Sequence, residues 1–258
     1  MKWTFFFTFL VSVFAIGQTP IETTSGIVLE FDYEKFVSVD NNQIAYATDY
    51  TDFFKISKDQ KLSYSNVQLG QISSANSFNS LKLNVFYKNF NTVIILDNRL
   101  AEIYTVDFNQ ISPYKNVSMV STGYDNTIWI INQDLNRLEL FDFQTNKSRL
   151  KAVPIEGQIL DMTSNYNYCW VLTDQYILTY DYFGAVISMI PNQGFNELGQ
   201  DSGNLVLKNE EKLYYLAKNT EEIRPIQTPQ LLINQFSLTN ETLYIYSRNK
   251  LHQFQLKF

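Results

Sequence analysis

Six short runs of β-branched, aromatic and aliphatic residues recur along the chain, at 44–47, 93–96, 128–131, 169–172, 205–207 and 243–246. Most are followed at once by a polar turn, such as Asp97-Asn98-Arg99, Thr173-Asp174-Gln175 or Ser247-Arg248-Asn249. A further strand-like run then begins near Leu100, Leu138, Ile177, Leu213 and Leu251. The clearest copy spans 127–142. Ile128, Trp129, Ile130 and Ile131 form one strand, 132–136 the turn, and Leu138 and Leu140 alternate with Arg137 and Glu139 before Phe141. Steps between copies are 49, 35, 41, 36 and 38 residues. That spacing leaves room for roughly two more strands per unit. A four-stranded unit cannot bury both of its faces alone, so the copies must stack on one another.

A period near 40 residues with about four strands per unit is the signature of propeller blades. The chain is therefore predicted to be an all-β, six-bladed β-propeller, with six units between Phe36 and Phe258. The 49-residue step fits least well, and Ser73-Ser74-Ala75-Asn76-Ser77 reads as an added loop. The last unit has three strands before the chain ends, while 27–33 is an unassigned strand near the other terminus. Pairing the two would close the ring and remove an exposed sheet edge.

Nine Gly and six Pro are few for so many turns, so Asn and Asp must supply much of the turn chemistry. Several strands end on aromatic-Asp-aromatic or a close variant, at 31–33, 106–108, 141–143 and 180–182. Their aspartates are expected to accept from the following backbone N–H groups. The form Thr-Ile-Trp-Ile-Ile-Asn…Asn-Arg-Leu-Glu-Leu-Phe-Asp resembles the blade hairpin of the NHL-like and YVTN-like propellers. The resemblance is closest at 127–142, fair at 92–107 and 168–181, and weak at 204–216 and 242–256. It implies the fold and carries no ligand or catalytic residue with it.

Lys2 followed by the apolar run 3–16 and the small residues Ala15 and Gly17 reads as a signal peptide over 1–17, with Gln18 the first mature residue. The run is shorter than the ~20 residues a membrane-spanning helix needs. The expected organisation is a leader 1–17, a linker 18–25 and one propeller domain 26–258. High use of Asn, Lys, Ile, Phe and Tyr, with Gln after the leader, is similar to envelope proteins of flavobacteria and other Bacteroidota. The expected location is thus the periplasm or the periplasmic face of the outer membrane.

The formal charge of −6 lacks the basic field that phosphate binding needs, which argues against a nucleic-acid partner. Cys169 is a single cysteine in an apolar strand, expected as a small buried hydrophobe. His252 is the one histidine, so a Ser-His-Asp triad or a His-containing metal site would have to use it. No phosphate loop, Gly-x-Ser-x-Gly, His-Glu-x-x-His or Cys-x-x-Cys is present. No cofactor or metal is expected, and 49–52 is too poor in acidic residues for a calcium loop. Carboxylate-pair chemistry on glycans remains open through Asp125, Glu156, Asp161, Glu197 and Asp201, although nothing selects one pair.

Trp129 and Trp170 hold equivalent strand positions and are expected to pack between blades. Aromatics at strand ends and turns are better placed for recognition: Tyr166, Tyr168, Tyr182 and Phe183, with Phe195 in the irregular stretch 191–203. The favoured reading is a non-catalytic binding module for another envelope protein, an accessory subunit of an outer-membrane complex such as a secretion channel or nutrient importer. The rivals are a glycan hydrolase or lyase and a lectin-like carbohydrate-binding propeller.

Overall fold

The computed structural model describes residues 19–258, and the expected leader lies outside them. The first strand, β1, is Glu22–Glu30. Blade 1 consists of Lys35–Val39 (β2), Ala45–Asp49 (β3), Asp52–Ile56 (β4) and Lys61–Ser65 (β5). Blade 2 has Ser74–Asn76 (β6), Leu83–Tyr87 (β7), Thr92–Leu96 (β8) and Glu102–Asp107 (β9). Blade 3 has Val117–Thr122 (β10), Thr127–Asn132 (β11), Arg137–Asp142 (β12) and Lys147–Pro154 (β13). Blade 4 has Ile159–Ser164 (β14), Tyr168–Thr173 (β15), Tyr176–Asp181 (β16) and Val186–Pro191 (β17). Blade 5 has Glu197–Asp201 (β18), Asn204–Asn209 (β19), Lys212–Leu216 (β20) and Ile223–Pro225 (β21). Blade 6 joins Gln235–Thr239 (β22), Thr242–Ser247 (β23) and Lys250–Lys257 (β24) to β1, in the order β1-β24-β23-β22.

The fold is the expected six-bladed propeller, and its ring is closed as expected by the N-terminal strand. The strand boundaries differ from the sequence reading. The chain enters the sheet at Glu22, within the stretch read as a linker, because β24 is long enough to offer a partner down to Lys257. β1 ends at Glu30, and Phe31 and Tyr33 leave the sheet to pack where blade 6 meets blade 1. There Phe31 lies 5.7 Å from Phe36 and 5.8 Å from Tyr246 between ring centroids. The stretch 73–77, read as an added loop, supplies β6, a three-residue inner strand whose small side chains line the channel. The long step has a different cause. Residues 93–96, aligned in sequence with the second strands of the other blades, lie in β8, the third strand of blade 2. The true counterpart is β7, which starts 38 residues after β3 (45 to 83).

Six apolar clusters hold the ring, one between each pair of adjacent blades. Trp129 packs between blades 3 and 4, Phe141 between blades 2 and 3, and Trp170 between blades 4 and 5. Alternation along each strand sends successive side chains to opposite blade neighbours, so the second strands are buried on both faces, as in β7 and β11. All six inner strands contribute to the wall of a central channel of about 480 Å³. Strand direction alternates within a blade, which fixes two rims. Loops joining first to second and third to fourth strands share the lower rim. Loops joining second to third strands, and one blade to the next, share the upper rim.

Candidate functional site

Five aromatic residues collect on the lower rim of blades 2 to 4. Phe78, Tyr124 and Tyr166 are each the second residue of the first loop in their blade. Phe78, from blade 2, meets Tyr166, from blade 4, edge-on with ring centroids 5.0 Å apart. Tyr182 and Phe183 come from the last loop of blade 4 and lie 4.1 Å apart, with Tyr124 6.0 Å from Tyr182. Phe78, Tyr166 and Tyr182 are exposed, and Phe183 is 67% exposed. Asp125 is the one charged residue in the lower-rim loops of blades 3 and 4 (123–126, 143–146, 165–167 and 182–185).

Short polar turns set these rings in place. Asn165 Oδ1 accepts from the N–H of Asn167 and Tyr168 at 2.8 and 2.9 Å, which projects Tyr166 outward. Asp181 Oδ1 accepts from the N–H of Phe183 and Ala185 at 2.9 Å each, as expected for the aspartate of an aromatic-Asp-aromatic end. Asp107 and Asp142 do the same for their own turns. Gly184 is required in the last loop of blade 4. Its φ is +76°, and a Cβ there would lie 2.2 Å from Leu150 Cδ2.

Two cationic side chains brace the rim from beneath. Arg149 donates to Asp142 Oδ2 at 2.6 and 2.8 Å while its guanidinium sits 5.7 Å from the Tyr124 ring centroid. Bonding to Asp142 raises the Arg149 pKa. Lys82 is buried, and its ammonium donates to the carbonyl oxygens of Gly123, Asp125 and Thr127 at 2.7, 2.8 and 2.8 Å. One side chain from the blade 2 loop therefore straps the whole blade 3 loop that carries Tyr124. Burial pulls the Lys82 pKa down to about 8.

The sequence-predicted residues separate into three groups. Tyr166, Tyr182 and Phe183 lie together on the lower rim. Tyr168 is half-buried against Trp170, at 5.8 Å, under the Lys218 ammonium, and lines a groove between blades 4 and 5. Phe195 is not on the surface. Asn192 Oδ1 accepts from the N–H of Gly194 and Phe195, and this turn drives the ring inward. At 2% exposed, Phe195 packs edge-on to Tyr214 in the core between blades 4 and 5. Phe78 and Tyr124 were not singled out from sequence. Aligning the first loops of the blades would have exposed them, since an aromatic holds the second position in three consecutive copies.

Of the five carboxylates singled out from sequence, Asp161 and Asp201 line the channel, Glu197 lines a smaller pocket that also takes in Asp161, and two do neither. Glu156 lies on the upper rim and Asp125 on the lower. Glu197 is bound to Lys208 at 2.6 Å. Asp161 accepts from the N–H of Met162 and Leu198 at 2.8 and 2.9 Å, and Asp201 accepts from the N–H of Asn240. Burial in the channel wall raises the Asp161 pKa to about 6, against the pull of its two N–H donors. His252 lies on the third strand of blade 6, stacked beside Phe254 and away from the channel wall, with its pKa lowered by burial. Cys169 is fully buried, and burial raises its pKa. Residues 49–52 form the β3–β4 hairpin, in which the N–H of Tyr50 donates to Glu34. Among the described residues, no group of three or more His, Cys, Asp or Glu side chains is placed to hold a metal ion.

Comparison with known proteins supplies the fold and no family. No family model matches the chain. No curated protein matches it either. Among solved structures, a catalytically inactive variant of virginiamycin B lyase from Staphylococcus aureus, crystallised with quinupristin, is 12% identical with a TM-score of 0.62. The match covers 96% of this chain and 98% of that one. A chain of the mitotic checkpoint complex is 9% identical with a TM-score of 0.59, covering 99% and 98%. BamB from Moraxella catarrhalis is 11% identical with a TM-score of 0.56, covering 91% and 98%. At these identities the likeness shows the propeller alone.

Proposed function

We propose that this chain is a non-catalytic, protein-binding propeller of the cell envelope, exported by its leader and docked to another envelope protein through the lower rim of blades 2 to 4. The observation that carries the reading is the exposed, nearly uncharged aromatic surface made by Phe78, Tyr166, Tyr182 and Phe183. Large exposed aromatics collected on a rigid support are the composition of a binding hot spot, where Tyr and its neighbours supply contact area at small entropic cost. Each ring is held by a turn or a buried cation, so the surface is formed before a partner arrives.

The channel supports binding over hydrolysis. Glu197 is engaged by Lys208, and both Asp161 and Asp201 accept from backbone N–H groups. The likeness to BamB and to a chain of the mitotic checkpoint complex is compatible with a docking role. The expected location and the Bacteroidota-like composition extend this to an accessory subunit of an outer-membrane assembly.

The test is co-purification from solubilised envelopes. Wild-type protein should bring down a stoichiometric partner, and a variant carrying Y166S, Y182S and F183S should lose it while keeping its melting temperature. A wild-type protein recovered only as monomer, or a partner retained by the triple variant, overturns the assignment.

A further inference from the structure

Tyr168 stands apart from the lower-rim surface, in a groove of about 240 Å³ where blade 4 meets blade 5. The groove follows from a truncated strand. β21, the outer strand of blade 5, has three residues, against six in β17 of blade 4. Residues 217–222 cross the lower rim before β21 begins, and no residue of β21 lines the groove. The outer part of the blade 4 face that looks toward blade 5 is therefore left uncovered.

That face runs from apolar to polar. Trp170 stands opposite Thr179, and Thr179 opposite Ser188, so the three form one cross-strand row on the same face of the sheet. The indole is buried at the inner end, and the two hydroxyls lie outside it. Blade 5 supplies the facing wall with Lys218 and Glu221. The Lys218 stem lies over Gly203, whose φ is +91° and where a Cβ would come 2.9 Å from Lys218 Cδ. Its ammonium then reaches to 6.0 Å from the Tyr168 ring centroid. Among the described residues, the side chains of Tyr168, Thr179, Ser188, Lys218 and Glu221 have no hydrogen-bond partner.

We propose that this groove binds one neutral pyranose unit, free or at the end of a glycan. An ammonium only donates and a carboxylate only accepts, while a sugar hydroxyl does both. A neutral sugar can therefore satisfy Lys218 and Glu221 together and share further bonds with Thr179 and Ser188. A charged ligand would meet a like charge in one of the two. The C–H face of the ring finds an apolar floor in Tyr168, Trp170 and Ile190. The space is smaller than a pocket for a drug-sized ligand, which suits a single ring. This site adds to the protein-docking role and does not depend on it.

The test is titration of the full chain with the methyl glycosides of glucose, galactose, mannose and N-acetylglucosamine, read by tryptophan fluorescence and saturation-transfer NMR. At least one should bind saturably, with a dissociation constant on the order of 1 mM. An oligosaccharide of that sugar binding more tightly than the glycoside identifies a glycan end, and weaker binding identifies a free sugar. The double variant T179V/S188A should weaken binding at least tenfold with an unchanged melting temperature. If that variant does not fold, K218A at its exposed position carries the comparison. Failure of all four glycosides to bind, or unchanged binding by the variants, overturns the proposal. So does sugar binding that is lost in Y166S/Y182S/F183S, which would move the ligand to the rim. Loss of a captured protein partner in T179V/S188A also overturns it, by giving the groove to the protein interface. Retention of that partner with loss of the sugar is the expected result and separates this site from the rim assignment.

Discussion

The two ends of blade 3 are each fastened by a buried lysine, in different ways. At the upper end, Lys115 meets Glu139 at 2.6 Å, and Glu139 also accepts from Ser148 and Asn132. At the lower end, the three partners of Lys82 are carbonyl oxygens of one loop. The rims above these anchors differ in the same sense. The upper-rim loops of blades 3 and 4 carry exposed Asp134, Glu156 and Asp174, while the lower-rim loops carry aromatics and Asp125. An ion pair fixes one point and consumes a carboxylate. A lysine held by carbonyls fixes loop backbone and leaves every side chain on the surface free, which is what a preformed aromatic surface requires.

The upper anchor should be the costlier one to break. Burial penalises the Glu139 charge, but Lys115, Ser148 and Asn132 together hold its pKa below the ordinary glutamate value. Glu139→Ala strands a buried ammonium, and loss of one partner from such a pair costs about 3–5 kcal/mol. Urea unfolding of E139A should show that loss. A loss below about 1 kcal/mol would mean that water reaches Lys115 and that the two anchors are not different in kind.

Lys82→Met comes next. It removes three charge-assisted bonds and leaves buried carbonyls without a donor, for a loss of about 2–3 kcal/mol. Its signature should be local, with amide hydrogen exchange accelerating in 123–127 and not around Lys115. The pH dependence gives a second check. The folded chain releases the Lys82 proton near 8, while the unfolded chain keeps it to about 10.5. Wild-type stability should therefore gain a rising component across that interval, absent from K82M. A pH profile of K82M parallel to wild type would show that Lys82 is not the titrating group.

Neither anchor was legible beforehand, and the reason is physical. A lysine in a loop reads as surface, because burial of Lys82 and Lys115 depends on a neighbouring blade that local sequence does not describe. The blade hairpins were legible because period-two burial and Asx turns are local, as Asp142 and Asp181 show. Ring closure was legible from a missing strand at one terminus and a spare one at the other, yet the limits of β1 were set by the length of its partner β24. Phe195 was misplaced because Pro191 to Gly203 looks irregular, while Asn192 folds part of it into a turn that buries the ring. The exposure of Tyr166, Tyr182 and Phe183 was legible from exposed-turn logic alone. Their companions Phe78 and Tyr124 needed the loop-by-loop alignment that only the strand boundaries make possible.

The rims themselves can be compared by partner binding. Y182S with F183S should weaken a captured partner at least tenfold, at least ~1.4 kcal/mol of binding free energy. The stability change should stay within about 0.5 kcal/mol, because the rings are exposed. The matched upper-rim variant, D134N with E156Q and D174N, should leave affinity within a factor of two. Isothermal titration of both variants decides the matter. Equal losses would spread the docking surface over both rims and dissolve the contrast between them.

The smallest expected effect concerns acid, and it sets the upper end of the channel against the anchor beside it. Asp161 lies on the inner strand of blade 4, where burial holds its proton to about 6 against an ordinary 3.8. The folded state then binds more protons than the unfolded state between those values, so this group makes stability fall as pH rises from about 4 to 6. Glu139 acts in the opposite sense. Its lowered pKa contributes stability above the ordinary glutamate range that is lost on acidification. Undiluted, the Asp161 difference would amount to ~3 kcal/mol. Access of solvent through the channel, together with two N–H donors that favour the carboxylate, brings the expected effect nearer ~1 kcal/mol. Asp161→Asn should remove the falling component, so the urea midpoint at pH 4.5, taken relative to that at pH 6.5, should be lower in D161N than in wild type, while the acid loss set by Glu139 lies below pH 4.5 in both. Equal divergence in the two proteins would place the Asp161 pKa in the ordinary range and leave the upper rim with one perturbed carboxylate, the one bound to Lys115.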